Sequence, residues 1–296
     1  MPQMTHHLKG LLITATGVVV ISPDGLLTRL IEVDHWTLLF WRGFLLAFGM
    51  WVLTGYMHPN RTWRAYRRIG SHGALMVFTF TLATISFINA ITHTSVANTL
   101  ILLSTTPLFA ALIGFVAWRE AIGPRTWVAI GLVAAGVYVI GSDTASQATS
   151  LFGDIAAMSG AFFLAAGFVV VRRRPAISVF PVISISGMLT ALLVLPLADP
   201  LSVSQRDLGY LILMGVYLLP VGTAMMYIGP KYIPAPEVGL MLLLESVLGP
   251  VWVWMVLEER PGLRTFIGGA IILSTLALNA LWAMRSIRPR GPSPGD

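Results

Sequence analysis

The chain has 296 residues, of which 56% are hydrophobic and 11% charged, and its mean hydropathy is +0.79. A soluble domain carries about 25% charged residues, so this composition excludes a water-soluble globular protein and points to an integral membrane protein with almost no soluble part. The lack of cysteine excludes disulfides and cysteine metal sites, and the net charge of +6, with no basic, aromatic-interleaved soluble module, speaks for membrane topology rather than nucleic-acid binding.

Runs of about 20 apolar residues cross a bilayer as helices, and the pattern predicts ten: roughly 8–30, 36–56, 70–91, 95–117, 124–141, 153–171, 178–197, 208–228, 236–256 and 263–284. No barrel-like alternation appears, and lipid tolerates only helices or closed barrels. The run 10–21 is followed by Gly25–Ile31 without a small-residue cleavage site, so it reads as an uncleaved first span. Pro23 and Gly25 interrupt that span beside Asp24, and such an interruption frees backbone groups to line a polar cavity. Arg42, in the second span, falls at a similar depth to Asp24, so an ion pair between the two spans is expected, acting as a structural clasp or as a substrate contact, with an Arg42 that snorkels outward as the alternative.

The third span carries Thr79, Ser86, Asn89 and His93, spaced 7, 3 and 4 residues apart on one helical face. Such a stripe either lines a water-filled path or glues helices together. Phe78 is a candidate apolar substrate contact in the same span, as are Tyr217 and Tyr227 in the eighth. The fourth span brings Asn98, Thr106 and Pro107, the eighth Pro220, and the ninth Glu245 followed by Pro250. The prolines are candidate gating kinks. Glu245, at midspan, is read as a counter-charge for a substrate ammonium, as a protonatable coupling group, or as a silent neutral acid bonded to carbonyls freed by Pro250. Trp36, Trp51, Trp118 and Trp282 near span ends read as interface belt, and Trp252 and Trp254 lie on different faces of the ninth span. No metal-ligand spacing and no cofactor motif is present.

Lys and Arg set the orientation. With the N-terminus inside, the inner side holds Lys9, Arg61, Arg64, Arg67, Arg68, Arg119, Arg125, Arg172, Arg173, Arg174, Lys231, Arg285, Arg288 and Arg290, and the outer side only Arg29, Arg206, Arg260 and Arg264. Both termini are therefore expected on the cytoplasmic side of a cell (inner) membrane. The small, polar linker "SDTASQATS" (142–150) divides the chain into a first five-helix repeat, 1–146, and a second, 147–286, with 287–296 a disordered cytoplasmic tail.

Two loops repeat each other. In "WREAIGPRTW" (118–127) and "LEERPGLRTF" (257–266), Glu120, Gly123, Arg125 and Thr126 meet Glu259, Gly262, Arg264 and Thr265 on one ungapped offset of 139. Five spans per half is odd, so the halves would be inverted, as in secondary transporters. On the same offset Asn98 meets Glu237 and Thr106 meets Glu245, which places these polar pairs across the expected two-fold axis.

The stretches "LLSTTPLFAALIGFVAWREAIGPRTWVAIGLVAAGVYVIG" (102–141) and "LLLESVLGPVWVWMVLEERPGLRTFIGGAIILS" (242–274) resemble the drug/metabolite transporter superfamily, EamA type. In both, a fourth span leads through a Glu-bearing loop into a glycine-rich fifth. The sequence departs from the pattern at Ser246, where proline is common, and at "SPDG" in the first span. The resemblance implies an all-α protein of ten transmembrane helices in two inverted repeats. It also implies a secondary transporter that exports small metabolites by alternating access, with the YddG-type exporters of aromatic amino acids as one branch. Its expected partners are a small-molecule substrate, the lipid bilayer and protons as a candidate coupling ion. An intramembrane enzyme would need a catalytic cluster on facing helices, and Asp24 and His93 have no such partners in the sequence; a channel would favour a continuous pore over bent, duplicated halves. Without a Walker motif, direct use of ATP is disfavoured.

Overall fold

The computed structural model describes residues 2–57, 59, 62–121, 123–144, 148–174, 177–228, 232, 235–259 and 261–286. Among them the chain is helical throughout, connected by short turns. The first span is α1 (Pro2–Ile21) with α2 (Asp24–Leu30), the second α3 (His35–Met57), and α4 (Thr62–Arg67) is a short surface helix that the hydropathy pattern did not announce. The third span is α5 (Gly70–His93), the fourth α6 (Val96–Leu103) with α7 (Thr106–Trp118), and the fifth α8 (Pro124–Thr144). In the second half come α9 (Ala148–Arg173), α10 (Val179–Val194), α11 (Gln205–Ile212) continuing through a π-helical stretch Leu213–Leu218 into α12 (Leu219–Ile228), α13 (Ala235–Leu257) and α14 (Leu263–Ser286). Eight of these segments are long and apolar enough to cross a membrane, and the shorter apolar helices Val179–Val194 and Met241–Leu257 bring the number to ten. The proposed tail 287–296 lies outside the described residues.

The first span is broken at Pro23, as its Pro and Gly led one to expect, and the fourth is broken just before Pro107; the cause is the same in each. Proline has no N–H to give the carbonyl four residues back, and its ring crowds that carbonyl. Pro23 thereby strands Val19 and Pro107 strands Leu103. A hydroxyl directly before each proline supplies the missing donor: Ser22 Oγ donates to Val19 O at 2.9 Å, and Thr106 Oγ1 donates to Leu103 O at 2.6 Å. The other two prolines behave differently. Pro220 follows the π-helical stretch, whose wider turn is a common site of helix distortion. Pro250 sits inside α13, which continues through it without a break.

The packing has the two-fold character of a duplicated chain. Exchanging each span with the one five places on turns the α5–α9 contact into the contact of the eighth span with the first, made by α12 and α1. The same exchange maps the α3–α10 and α8–α14 pairs onto themselves. Both self-mapped pairs cross at glycine. A β-carbon on Gly43 would lie 2.6 Å from the Gly187 carbonyl oxygen, and the reverse distance is also 2.6 Å. A β-carbon on Gly268 would lie 2.6 Å from Gly136 O, and one on Gly136 3.0 Å from Gly268 O. Lipid tails are as apolar as leucine, so helices in a bilayer associate through close backbone approach at small residues rather than by hydrophobic exclusion.

The two similar loops share a backbone conformation as well as a sequence. Arg119 has φ 54° and Glu258 has φ 57°. These left-handed residues, unusual without glycine, end the fourth and ninth spans at positions 139 apart. The glutamate that follows each one reaches the first span of the other repeat. Glu120 accepts from Arg172 at 3.2 Å and from Arg173, at the end of α9, and Glu259 lies 3.8 Å from Arg29, at the end of α2. The two contacts sit on opposite faces of the helix bundle, as inversion requires.

Candidate functional site

The break at Pro23 makes Asp24 the first residue of α2 and turns it into the bundle. Arg42, on α3, meets it end-on: Nη1 lies 2.5 Å from Oδ1 and Nη2 2.8 Å from Oδ2. Both residues are buried, each 6% exposed. A charge in this setting survives only when paired and hydrogen-bonded, and the two-point geometry satisfies most of both groups. Met214 Sδ, from the π-helical stretch, is 3.2 Å from Arg42 Nη1, and the Phe87 ring of α5 lies 5.1 Å from the guanidinium carbon, a cation–π distance. The second, third and eighth spans thus converge on the first at one buried ion pair.

Glu245 of α13 lies within the electrostatic field of this pair. It is half-buried and has no hydrogen-bond partner among the described residues, so the carbonyl freed by Pro250 is not its partner there. The neighbouring faces of α13 are clearly assigned. Leu244, Val247, Val251 and Trp254 are exposed on the outer side, while Ser246, Gly249 and Val253 are buried. Ser246 Oγ donates to Leu100 O of α6 at 3.1 Å, and a β-carbon on Gly249 would lie 2.2 Å from Leu100 Cδ1. Trp252 Nε1 donates to Ser22 Oγ at 2.9 Å, which ties the break in the first span directly to the ninth. Of the two tryptophans, Trp252 is therefore the inward one and Trp254, half exposed, the outward one.

The remaining sequence candidates are dispersed. Thr106 is buried, but its hydroxyl is committed to its own helix, and the crossing of the fourth and ninth spans is carried by Leu100, Ser246 and Gly249 rather than by Thr106 and Glu245. Thr79 and Ser86 face α9: a β-carbon on Gly167 would lie 3.1 Å from Thr79 Oγ1 and one on Gly160 3.4 Å from Ser86 Cβ. That half of the polar stripe forms a helix–helix seam. Asn89 donates from Nδ2 to Ile85 O at 2.8 Å, and His93 sits exposed at the span end, 5.0 Å from the Phe152 ring and 6.0 Å from His35. Phe78 and Tyr217 are each 55% exposed, and the Tyr227 side chain lies outside the described residues. Asn98 belongs to a second polar cluster. It donates to Thr94 Oγ1 at 3.2 Å and to Asp154 Oδ1 at 3.4 Å, and it accepts from Thr265 at 2.6 Å.

A cavity of about 410 Å³ lies beside that second cluster, between α6–α7, α8 and α9, lined by Leu102, Phe109, Val137, Asp154, Met158 and Phe162. Its lining is overwhelmingly apolar and includes neither Arg42 nor Glu245. The charged cluster, where several helices bring ionisable groups together in the bundle interior, is the stronger functional candidate. Among the described residues, no three His, Cys, Asp or Glu side chains group to hold a metal ion.

The EamA-like transporter family matches the chain twice, over residues 8–142 and 151–281. The chain belongs to this family. An "Uncharacterized transporter" of Methanothermobacter thermautotrophicus is 24% identical to it over 202 residues, 65% of this chain; the match spans 59% of the length of that relative. A known crystal structure superimposes with a TM-score of 0.67 at 17% identity, covering 95% of this chain and 100% of the other, which shows a shared fold. In this EamA-like family member the twofold match falls on two halves either side of the linker 142–150, each carrying one copy of the repeated loop.

Several residues of the two polar clusters, and the apolar ones that frame them, were missed in the sequence. Asp154 is buried at 6% exposure and could have been found by the reasoning applied to Asp24, since it is an acid just inside a span, the second residue of the predicted sixth span. Thr265 stands in the repeated loop motif, but its partner, Asn98, is 167 residues away. Met214 and Phe87 carry no sequence signal, because an apolar residue is expected almost anywhere in a membrane helix.

Proposed function

We propose that the protein is a secondary transporter that exports small metabolites, amino acids and among them aromatic ones, by alternating access to a site between its two repeats. The observation that carries this reading is the buried Asp24–Arg42 pair with Glu245 in its field. Ionisable groups are expensive inside a membrane and are retained where they bind or couple. The inverted packing of the halves supports alternation, since two inverted halves can exchange shapes and open one central site to each side in turn. The Lys and Arg distribution supports both termini being cytoplasmic in a cell (inner) membrane. The proposed boundary between the repeats, at 146 and 147, lies outside the described residues.

In this reading Glu245 balances a substrate ammonium or carries the coupling proton. The test is substrate flux in proteoliposomes made with wild type and with Glu245→Gln, measured from pH 5 to 8. The variant is expected to lose most flux and to lose whatever pH dependence the wild type shows. Flux equal to wild type at every pH would remove Glu245 from the mechanism.

A further inference from the structure

Arg42 has two usable edges, and the ion pair occupies only one. Asp24 takes the end-on edge, one oxygen on each terminal nitrogen. The side-on edge is made by Nε and the adjacent terminal nitrogen, and its Nε–H is buried with no hydrogen-bond partner among the described residues. A guanidinium donates five hydrogens in a rigid planar fork. A buried donor left unmade costs about 1–3 kcal/mol, so a structure does not retain one without a reason. The guanidinium is also held in place, with Asp24 at one edge, Met214 Sδ against Nη1 and the Phe87 ring 5.1 Å away. It therefore cannot swing to find a partner elsewhere. What suits this edge is a planar acceptor that arrives from outside the protein.

We infer that Arg42 is a bifunctional residue, whose end-on edge clasps Asp24 and whose side-on edge reads the carboxylate of the transported solute. This rests on the transport reading above and adds to it the group that discriminates among solutes. The charge balance supports it. Asp24 and Arg42 cancel, so a carboxylate arriving alone would place unbalanced negative charge beside Glu245, itself an acid without a hydrogen-bond partner among the described residues. A solute that carries both a carboxylate for Arg42 and an ammonium for Glu245 leaves the buried site no more negative than it was. Amines, sugars and nucleosides lack the carboxylate, and simple carboxylic acids lack the ammonium. The site thus selects for the two-ended head of an amino acid rather than for any one side chain. Phe87, against the guanidinium, and Trp252, bonded to Ser22 two residues before Asp24, are both half-buried and offer apolar surface against which a side chain would rest.

The test uses the full-length protein in proteoliposomes. Counterflow with each amino acid in turn identifies the best-transported one. Competition then compares that amino acid with its decarboxylated and deaminated analogues; for phenylalanine these are phenethylamine and 3-phenylpropanoate. A hydrogen-bonded charge lost from a buried site is expected to weaken competition by roughly tenfold to a hundredfold for each analogue. Arg42→Lys keeps a cation for Asp24 but has no planar side edge. It is expected to raise the half-saturating concentration of the amino acid at least about tenfold, while phenethylamine competes against it no worse than against wild type. Should the variant fail to fold, the wild-type competition decides alone. If phenethylamine competes as well as phenylalanine, the assignment of Arg42 is wrong and the transport reading stands. If no amino acid gives counterflow while another solute does, the amino-acid reading falls and this inference falls with it.

Discussion

The hydroxyl–proline pair in the fourth span gives the most constrained prediction. Thr106→Val keeps the shape of the side chain and removes only the donor that reaches Leu103 O at 2.6 Å. The carbonyl cannot turn to the residue four positions on, because that residue is Pro107. An orphaned buried acceptor costs about 1–3 kcal/mol, while hydrogen bonds measured inside membrane helices average nearer ~0.6 and reach ~1.7. A loss of about 1 kcal/mol is therefore expected, which for a chain of this size lowers the thermal midpoint by roughly 2–4 °C. The assay is thermal unfolding in a mild detergent, followed by the monodisperse fraction on size exclusion. The reasoning also fixes a coupling. Pro107→Ala restores an N–H able to serve Leu103, so Thr106→Val should cost little or nothing in that background. An equal cost with and without Pro107 would refute the idea that Thr106 substitutes for the proline's missing donor.

Two further predictions follow from the same structure. Gly43→Ala would put a β-carbon 2.6 Å from a backbone oxygen, at a crossing where neither partner can rotate away. The expected cost is about 1–3 kcal/mol of overpacking, less up to about 1 kcal/mol returned by alanine's better helix propensity; Gly131→Ala, with nothing within 4 Å, should be neutral or mildly stabilising in the same melt, and equal midpoints for the two would show that the glycine crossing is not a close contact. Asp34, in the turn before α3, loses some stability as an anion through burial, but hydrogen bonds outweigh this: its carboxylate accepts from the Thr37 and Trp36 backbone N–H groups at 3.1 and 2.9 Å, and its acidity is held below the usual carboxylate value. Because the folded value is depressed, the stabilisation is present above about pH 4 and is lost as pH falls through that range, so Asp34→Ala should lower the midpoint by a degree or two at pH 7 and by less near pH 3; an equal effect at both values would separate the cap from the charge.

Composition and spacing alone set the class, the number of spans and the duplication. Each of these depends on local composition or on one-dimensional spacing: apolar runs long enough for a bilayer, and two loops written alike 139 residues apart. The sequence also brought Asp24 and Arg42 together, because two charges at equal depth in adjacent spans have few other ways to lower their cost. The direction of the Thr106 hydroxyl was not legible, for a physical reason. Symmetry in sequence places a residue at an equivalent depth, but whether its hydroxyl looks across the axis or back at its own helix depends on the proline beside it. Long-range packing settled that the third-span stripe is shared between a helix seam and a span end, that Asp154, Asn98 and Thr265 form a second cluster, and that the second edge of Arg42 has no partner among the described residues. These are contacts between residues far apart in the chain, and in a membrane, where nearly every position is apolar, composition cannot say which of many equivalent faces will meet.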